Sequence, residues 1–168
     1  MVAGMVGIAA APASAATVQS CAKFVGTITL TPGLGATAAN QTVVIKGTQS
    51  ACKPTATTGG TGAFLAKFAL KNASCTTLAS GGTKFTAPGK TTWKNKKTTS
   101  YTITYKDGTG AGITNITMTG KATSGLFSGK KFAGGLKIDI NSVNSGACQG
   151  TGKFKTAKLT QLKAWTLS

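Results

Sequence analysis

Alternation of apolar with other side chains, with a period of two residues, is the sequence feature that most constrains the fold of this chain. It is clearest where four apolar residues alternate with a second set that includes two lysines: Phe64, Ala66, Phe68 and Leu70 against Leu65, Lys67, Ala69 and Lys71. Successive side chains of a strand point to opposite faces of a sheet, so this pattern predicts a strand with one buried face. Weaker alternation recurs at residues 24–30, 41–47, 101–105, 113–119, 131–141 and 154–167.

The number and spacing of these segments predict an all-β fold. Turn signals rich in Gly and Pro recur about every 10 to 15 residues, and no segment has the periodicity of an amphipathic helix. Thr and Gly, which supply 30 and 23 of the 168 residues, favour extended chain and turns. We expect an antiparallel β-sandwich of about seven to nine strands, Ig-like or jelly-roll-like, with a barrel as the alternative.

The first fifteen residues have the pattern of a secretory signal peptide. They carry no charged side chain, contain an apolar run too short to span a bilayer, and end in Ala13-Ser14-Ala15, which signal peptidase could read. The first lysine is Lys23, so the usual positive n-region is missing, and we expect Met1 to be an internal methionine of a longer leader. The prediction is a leader over 1–15 and a single domain over 16–168.

The four cysteines, Cys21, Cys52, Cys75 and Cys148, follow the leader and fit an exported protein with two disulfides. Four cysteines allow three pairings, and their spacing alone does not choose among them. A hairpin in which Leu30 lies opposite Val43 would also place Cys21 opposite Cys52. On that register we expect Cys21–Cys52, which leaves Cys75 to pair with Cys148.

Missing residue types exclude most familiar enzyme chemistry. The chain has no His, Glu or Arg, and its only acids are Asp107 and Asp139. Hydrolase triads need a base that titrates near neutrality, common glycosidases need two carboxylates, and metal sites need clustered ligands. Asp107 lies in Lys-Asp-Gly, a turn signature. We predict no catalytic residue, metal site or cofactor; an enzyme with an unfamiliar Lys or Asp mechanism is the third functional hypothesis.

The positive charge points to anionic partners. All 19 basic residues are lysine, and the formal net charge is +17. Lysines give salt-dependent affinity for polyanions, whereas specific reading of nucleic acid usually relies on arginine. We predict binding to anionic envelope polymers or polysaccharide, not specific nucleic-acid recognition, through five candidates: Lys94, Lys96, Lys97, Lys130 and Lys131.

Aromatic residues suggest a carbohydrate-binding module as the second hypothesis. Trp93 and Tyr101 are the candidates for stacking on sugar rings, with Tyr105 and Trp165 as further possibilities. Tyr101 and Tyr105 are four residues apart and share one face of a strand, which is also the arrangement of core residues. Exposure of these rings therefore decides between the two interpretations.

An internal isopeptide bond is a separate covalent hypothesis. Asp139 lies within a predicted strand near Lys137 and Asn141, and an acid in that position could relay a proton between a buried lysine and an asparagine amide. An acid on the solvent face beside Lys137 is the simpler interpretation.

Several short segments resemble small Thr/Gly-rich secreted proteins of actinobacteria. They are the leader ending in Ala-Pro-Ala-Ser-Ala-Ala, the early Cys21, residues 42–48 followed by Ala51-Cys52, and Thr-Ser-Gly-Leu-Phe-Ser-Gly at 123–129. The resemblance implies export and a disulfide-bonded β fold, and it carries over no catalytic or binding residue. The leading hypothesis is a secreted, non-enzymatic protein with a structural or interaction role at the cell envelope.

Overall fold

The computed structural model describes residues 17–108, 115–139, 142, 148 and 151–168, with backbone only at residues 78 and 79. This part of the chain contains eight strands and two short helices. In chain order they are β1 (Gln19–Leu34), β2 (Ala39–Lys53), α1 (Thr55–Thr58), β3 (Gly62–Ala73), α2 (Cys75–Ala79), β4 (Lys84–Trp93), β5 (Thr98–Asp107), β6 (Asn115–Gly125), β7 (Lys131–Asp139) and β8 (Phe154–Leu167). The expected all-β class and number of strands are confirmed.

The strands form one closed barrel. Each strand pairs antiparallel with the next along the chain, and β1 also pairs with β8, which closes the sheet. This closure corrects the expected β-sandwich, because all eight strands of the described residues belong to one closed sheet. Alternation identifies the buried face of a strand but not its neighbours, so the distant pairing of β1 with β8 could not be read from local pattern.

The first hairpin has the predicted register. Leu30 lies opposite Val43, and Cys21 lies opposite Cys52. Both predicted disulfides are present, Cys21–Cys52 and Cys75–Cys148. The segment at 154–167, for which a strand pair or one bent strand was expected, is the single strand β8, and its register shifts twice where it pairs with β1.

Aromatic rings fill one half of the barrel. The Trp165 ring stacks on Phe24 with ring centroids 4.8 Å apart, and the rings of Phe64 and Phe132 meet it edge-on at 4.8 and 5.5 Å. Glycine in the neighbouring strand β7 makes room for the indole: a Cβ added at Gly134 would lie 2.9 Å from Trp165 Cδ1. The indole can approach the backbone this closely only because glycine has no side chain, and this leaves room for the other three rings.

The barrel has two distinct ends. The connections β2–β3, β4–β5 and β6–β7 lie at one end, which we call the lysine end; α1 is in the first of them. The connections β1–β2, β3–β4, β5–β6 and β7–β8 lie at the other, which we call the cavity end; α2 is in the second of them. The Cys75–Cys148 disulfide therefore belongs to the cavity end, and Cys21–Cys52 lies near the lysine end.

None of the helices in the described residues is long and apolar enough to cross a membrane.

Candidate functional site

The β4–β5 turn presents three of the predicted lysines. Lys94, Lys96 and Lys97 are exposed, and two backbone hydrogen bonds close the turn, from Trp93 N to Lys97 O at 2.8 Å and from Lys96 N to Trp93 O at 2.9 Å. Asn95 fastens it to the neighbouring connection, because its Nδ2 donates to Thr57 O at 2.7 Å. The turn is thus held from two sides while its ammonium groups remain in solvent.

The β6–β7 turn presents the other two lysines beside the first group. Lys130 and Lys131 are exposed, and Lys130 N donates to Phe127 O at 3.0 Å. The two turns touch: Leu126 N donates to Thr98 O at 2.9 Å, and the rings of Phe127 and Trp93 meet edge-on at 5.7 Å. All five predicted lysines therefore lie at the lysine end, on two adjoining turns.

Lys121 extends this group and was not predicted. It is exposed and lies directly opposite Lys131 in the β6–β7 hairpin. Two like charges opposite each other repel, and a shared anion between them would relieve that repulsion. The signal was available in the sequence, because a hairpin centred on Leu126, the middle of the 123–129 segment, pairs these two positions.

The two acids of the chain lie away from the lysine end. Asp107 is the last residue of β5 and Asp139 is the last residue of β7, and both strands finish at the cavity end. Since the sequence holds no other Asp or Glu, no acidic side chain is available to neutralise the five lysines locally. All five positive charges therefore attract an anion that approaches from solvent.

The predicted sugar-stacking residues are buried, which overturns that assignment. Trp93 and Tyr101 are each 2 % exposed, and Tyr105 and Trp165 also lie inside the barrel. Trp93 Nε1 donates to Thr99 Oγ1 at 2.9 Å, and burial raises the pKa of Tyr101 to about 12. The structure supports the alternative interpretation, in which Tyr101 and Tyr105 lie on the core face of their strand.

The arrangement around Asp139 does not match the isopeptide hypothesis. Lys137 is exposed on the outside of the barrel, whereas the reaction needs a buried lysine. Asp139 is half-buried and is paired in register with Lys158 of β8. The third participant, Asn141, and the neighbouring Ile140 lie outside the described residues.

A small cavity occupies the barrel interior toward the cavity end. Its volume is about 40 Å³, and Asp107 and Tyr105 are the polar members of its lining, which is otherwise aliphatic or phenylalanine. Asp107 is 7 % exposed, and neither of its carboxylate oxygens has a hydrogen-bond partner. The hydroxyl of Tyr105 is also unpartnered, and burial raises the pKa of this tyrosine above its ordinary value of 10.

The inward position of Asp107 corrects its interpretation as a turn residue. It continues the buried face of β5, which includes Tyr101 and Ile103, and it pairs with Ile116 of β6. The Lys-Asp-Gly signature concealed this, although the alternation of residues 101, 103, 105 and 107 was visible. In the described part of the chain no three His, Cys, Asp or Glu residues cluster as metal ligands.

Comparison of the chain with protein-family models, with curated proteins and with solved structures finds no match. Function is therefore inferred from the residues themselves.

Proposed function

We propose that this protein is a secreted, non-enzymatic barrel that binds anionic polymers of the cell envelope through its lysine end. The observation that carries the proposal is the convergence of Lys94, Lys96 and Lys97 with Lys130 and Lys131 on two adjoining turns. The five were separate clusters in the sequence, and the fold brings them to one end of the barrel. Phosphate-bearing chains such as teichoic acids offer the repeating anions that such a surface fits.

The rigidity of the lysine end supports this function. The β4–β5 turn is tied to the β2–β3 connection through Asn95, and to the β6–β7 turn through Thr98 O. Lysines on fixed turns lose less backbone freedom on binding than lysines on a loose tail. Lysine acts as a point charge and imposes little geometry, so we expect recognition of charge density and not of a particular sugar.

Export agrees with the two disulfides, which persist in oxidising compartments. The predicted leader over 1–15 supports the same location. The absence of His, Glu and Arg from the sequence favours binding over catalysis. The resemblance to small actinobacterial secreted proteins is consistent with a role outside the cell.

The test compares two variants of equal charge. One replaces Lys94, Lys96, Lys97, Lys130 and Lys131 with glutamine; the control makes the same change at five exposed lysines on other parts of the barrel, Lys67, Lys71, Lys84, Lys106 and Lys155. Both lower the formal charge from +17 to +12. With poly(glycerol phosphate) as the probe at low salt, we expect the first variant to lose at least about tenfold in affinity and the control to lose less than about threefold. Equal losses would mean that net charge alone governs binding and would overturn the proposed site.

A further inference from the structure

The barrel wall is only partly joined between β3 and β4. Their pairing covers four positions, from Gly62 opposite Trp93 to Leu65 opposite Lys90. Both strands continue toward the cavity end, through residues 66–73 and 84–89, without pairing with each other. On their other sides they remain paired, β3 with β2 and β4 with β5. No other two neighbouring strands of the described residues pair over so few positions.

The side of β3 that faces β4 is therefore a free strand edge over residues 66–71. Backbone N–H and C=O groups of successive residues point alternately to the two sides of a strand, so half of those in this segment face the gap. They have no strand partner in the described residues. The segment contains no Pro or Gly, and such an edge is a template for an added strand. The edge of β4 is a poorer template, because Pro88 has no N–H.

Apolar side chains form the floor of this gap. Phe68 and Leu70 of β3 and Phe85 of β4 alternate with exposed residues and line the barrel interior, yet each is only half-buried. The rings of Phe68 and Phe85 contact each other with centroids 4.9 Å apart. A strand added along the edge of β3 would direct every second side chain toward this floor. Those positions favour apolar residues.

Lysines line both rims of the gap. Lys67 and Lys71 of β3 and Lys84 and Lys90 of β4 are exposed on the outside of the barrel. The remaining side chains of an added strand would lie beside them, where opposite charges stabilise cross-strand pairs and like charges destabilise them. A second copy of this chain, with the same lysines and a net charge of +17, is disfavoured on this ground.

We propose that the free edge of β3 binds an extended segment of another protein in which apolar and acidic residues alternate. Backbone hydrogen bonds to residues 66–71 supply affinity for a strand, the apolar floor receives one face of it, and the rim lysines select acids on the other. Poly(glycerol phosphate) has no amide groups and cannot pair with this edge. The proposed polymer binding at the lysine end and the proposed peptide binding can thus fail independently.

Hydrogen exchange of the intact protein tests whether the edge is free. Alternate amides within residues 66–71 should exchange at least about a hundredfold faster than those of residues 43–48 in β2, which is paired on both sides. Uniform protection of residues 66–71 in a monomeric protein would show that the edge is already covered. The same protection in a protein that sediments as a dimer would identify a second copy as the occupant. Either result would overturn the proposal.

The binding experiment uses a labelled peptide of alternating valine and aspartate, followed by fluorescence anisotropy. A peptide of the same composition with its valines and aspartates in two blocks is the matched control, because it has equal charge without alternation. We expect the alternating peptide to bind at least about tenfold more tightly, and to slow exchange of the fast amides in residues 66–71. Equal binding of the block peptide, or no binding of the alternating peptide up to about 1 mM, would overturn the proposal.

Two variants of equal charge then locate the site. K67Q/K71Q should weaken binding of the alternating peptide about fivefold and leave binding of poly(glycerol phosphate) nearly unchanged. K94Q/K96Q removes two lysines from the lysine end and should have the opposite pattern. All four residues are exposed, so both variants are expected to fold. Equal weakening of peptide binding by the two variants would show that net charge, and not the edge of β3, attracts the peptide.

Discussion

Cys75 and Cys148 join opposite sides of the barrel. Cys75 begins α2 between β3 and β4, and Cys148 lies between β7 and β8, with 5.6 Å between their Cα atoms. In a ring of eight strands these two connections face each other across the mouth. Cys75 N also donates to Gly35 O at 2.9 Å, so three of the four connections at the cavity end are linked.

The two disulfides should differ in their contribution to stability. Cys75–Cys148 closes a loop with a sequence separation of 73, and Cys21–Cys52 one of 31. On the chain-entropy account, C75S/C148S lowers the free energy of unfolding by about 4.5 kcal/mol and C21S/C52S by about 3.5 kcal/mol. Urea unfolding of the unmodified protein and of the two double variants measures both losses of unfolding free energy. A loss for C75S/C148S clearly smaller than that for C21S/C52S would contradict the expectation.

The buried tyrosines make the fold sensitive to alkali. Burial raises the pKa of Tyr101 from 10 to about 12 and raises that of Tyr105 as well. Above pH 10 the unfolded chain loses protons that the folded chain keeps, so the free energy of unfolding falls as pH rises toward 12. The slope is roughly 1.4 kcal/mol per pH unit for each tyrosine.

These are the only two tyrosines in the chain, which gives a direct readout. Tyrosinate absorbance should stay low between pH 10 and 11 and then rise together with loss of the β signal in circular dichroism. Y101F/Y105F retains every lysine and so separates tyrosine ionisation from lysine ionisation; its unfolding free energy should fall less steeply. Tyrosinate forming at pH 10 in a protein that remains folded would count against burial.

A glycine beneath an aromatic ring should be intolerant of substitution. A Cβ at Gly47 would lie against the Phe24 ring and 2.6 Å from Val25 O, a backbone atom that cannot move aside. We expect G47A to lower the unfolding free energy by about 1 to 3 kcal/mol. At Gly35 the nearest atom to an added Cβ is 3.8 Å away, so G35A should change the unfolding free energy by less than about 0.5 kcal/mol. Equal losses of unfolding free energy in G47A and G35A would show that the Phe24 ring does not pack directly against Gly47.

Sequence reasoning predicted what depends on neighbours along the chain. Opposition of Leu30 and Val43 was enough to place Cys21 opposite Cys52, because the residue numbers of opposite positions in a regular antiparallel hairpin have a constant sum, here 73. Barrel closure depends on β1 meeting β8, a contact between distant segments with shifts in register. The burial of Trp93 and Tyr101 follows from that closure, so an aromatic stripe could not be assigned to core or surface beforehand.

The candidate sites were predictable to different extents. The lysines were visible as clusters, but their convergence required the contact between the turns at Thr98 and Leu126. Asp107 was hidden because Lys-Asp-Gly has the composition of a turn while its aspartate completes the buried face of β5. Composition at a strand end therefore conflicted with alternation, and alternation was the better guide.

The proposed export predicts a defined mature protein. Intact mass spectrometry of protein recovered from the culture medium should give a chain that begins at Ala16, the residue after Ala13-Ser14-Ala15. Non-reducing peptide mapping should recover Cys21 joined to Cys52, and Cys75 joined to Cys148. Protein found only inside cells, with Met1 retained, would contradict secretion.

The salt dependence of polymer binding tests the central proposal most directly. The affinity of the unmodified protein for poly(glycerol phosphate) should fall linearly on a double logarithmic plot against salt, with a slope near −3.5 for about five phosphate contacts. Replacement of Lys94, Lys96, Lys97, Lys130 and Lys131 by glutamine should flatten that slope, and the five-lysine control should keep it. Binding that persists in about 0.5 M salt, or a slope unchanged by the five substitutions, would contradict polyanion binding at the lysine end.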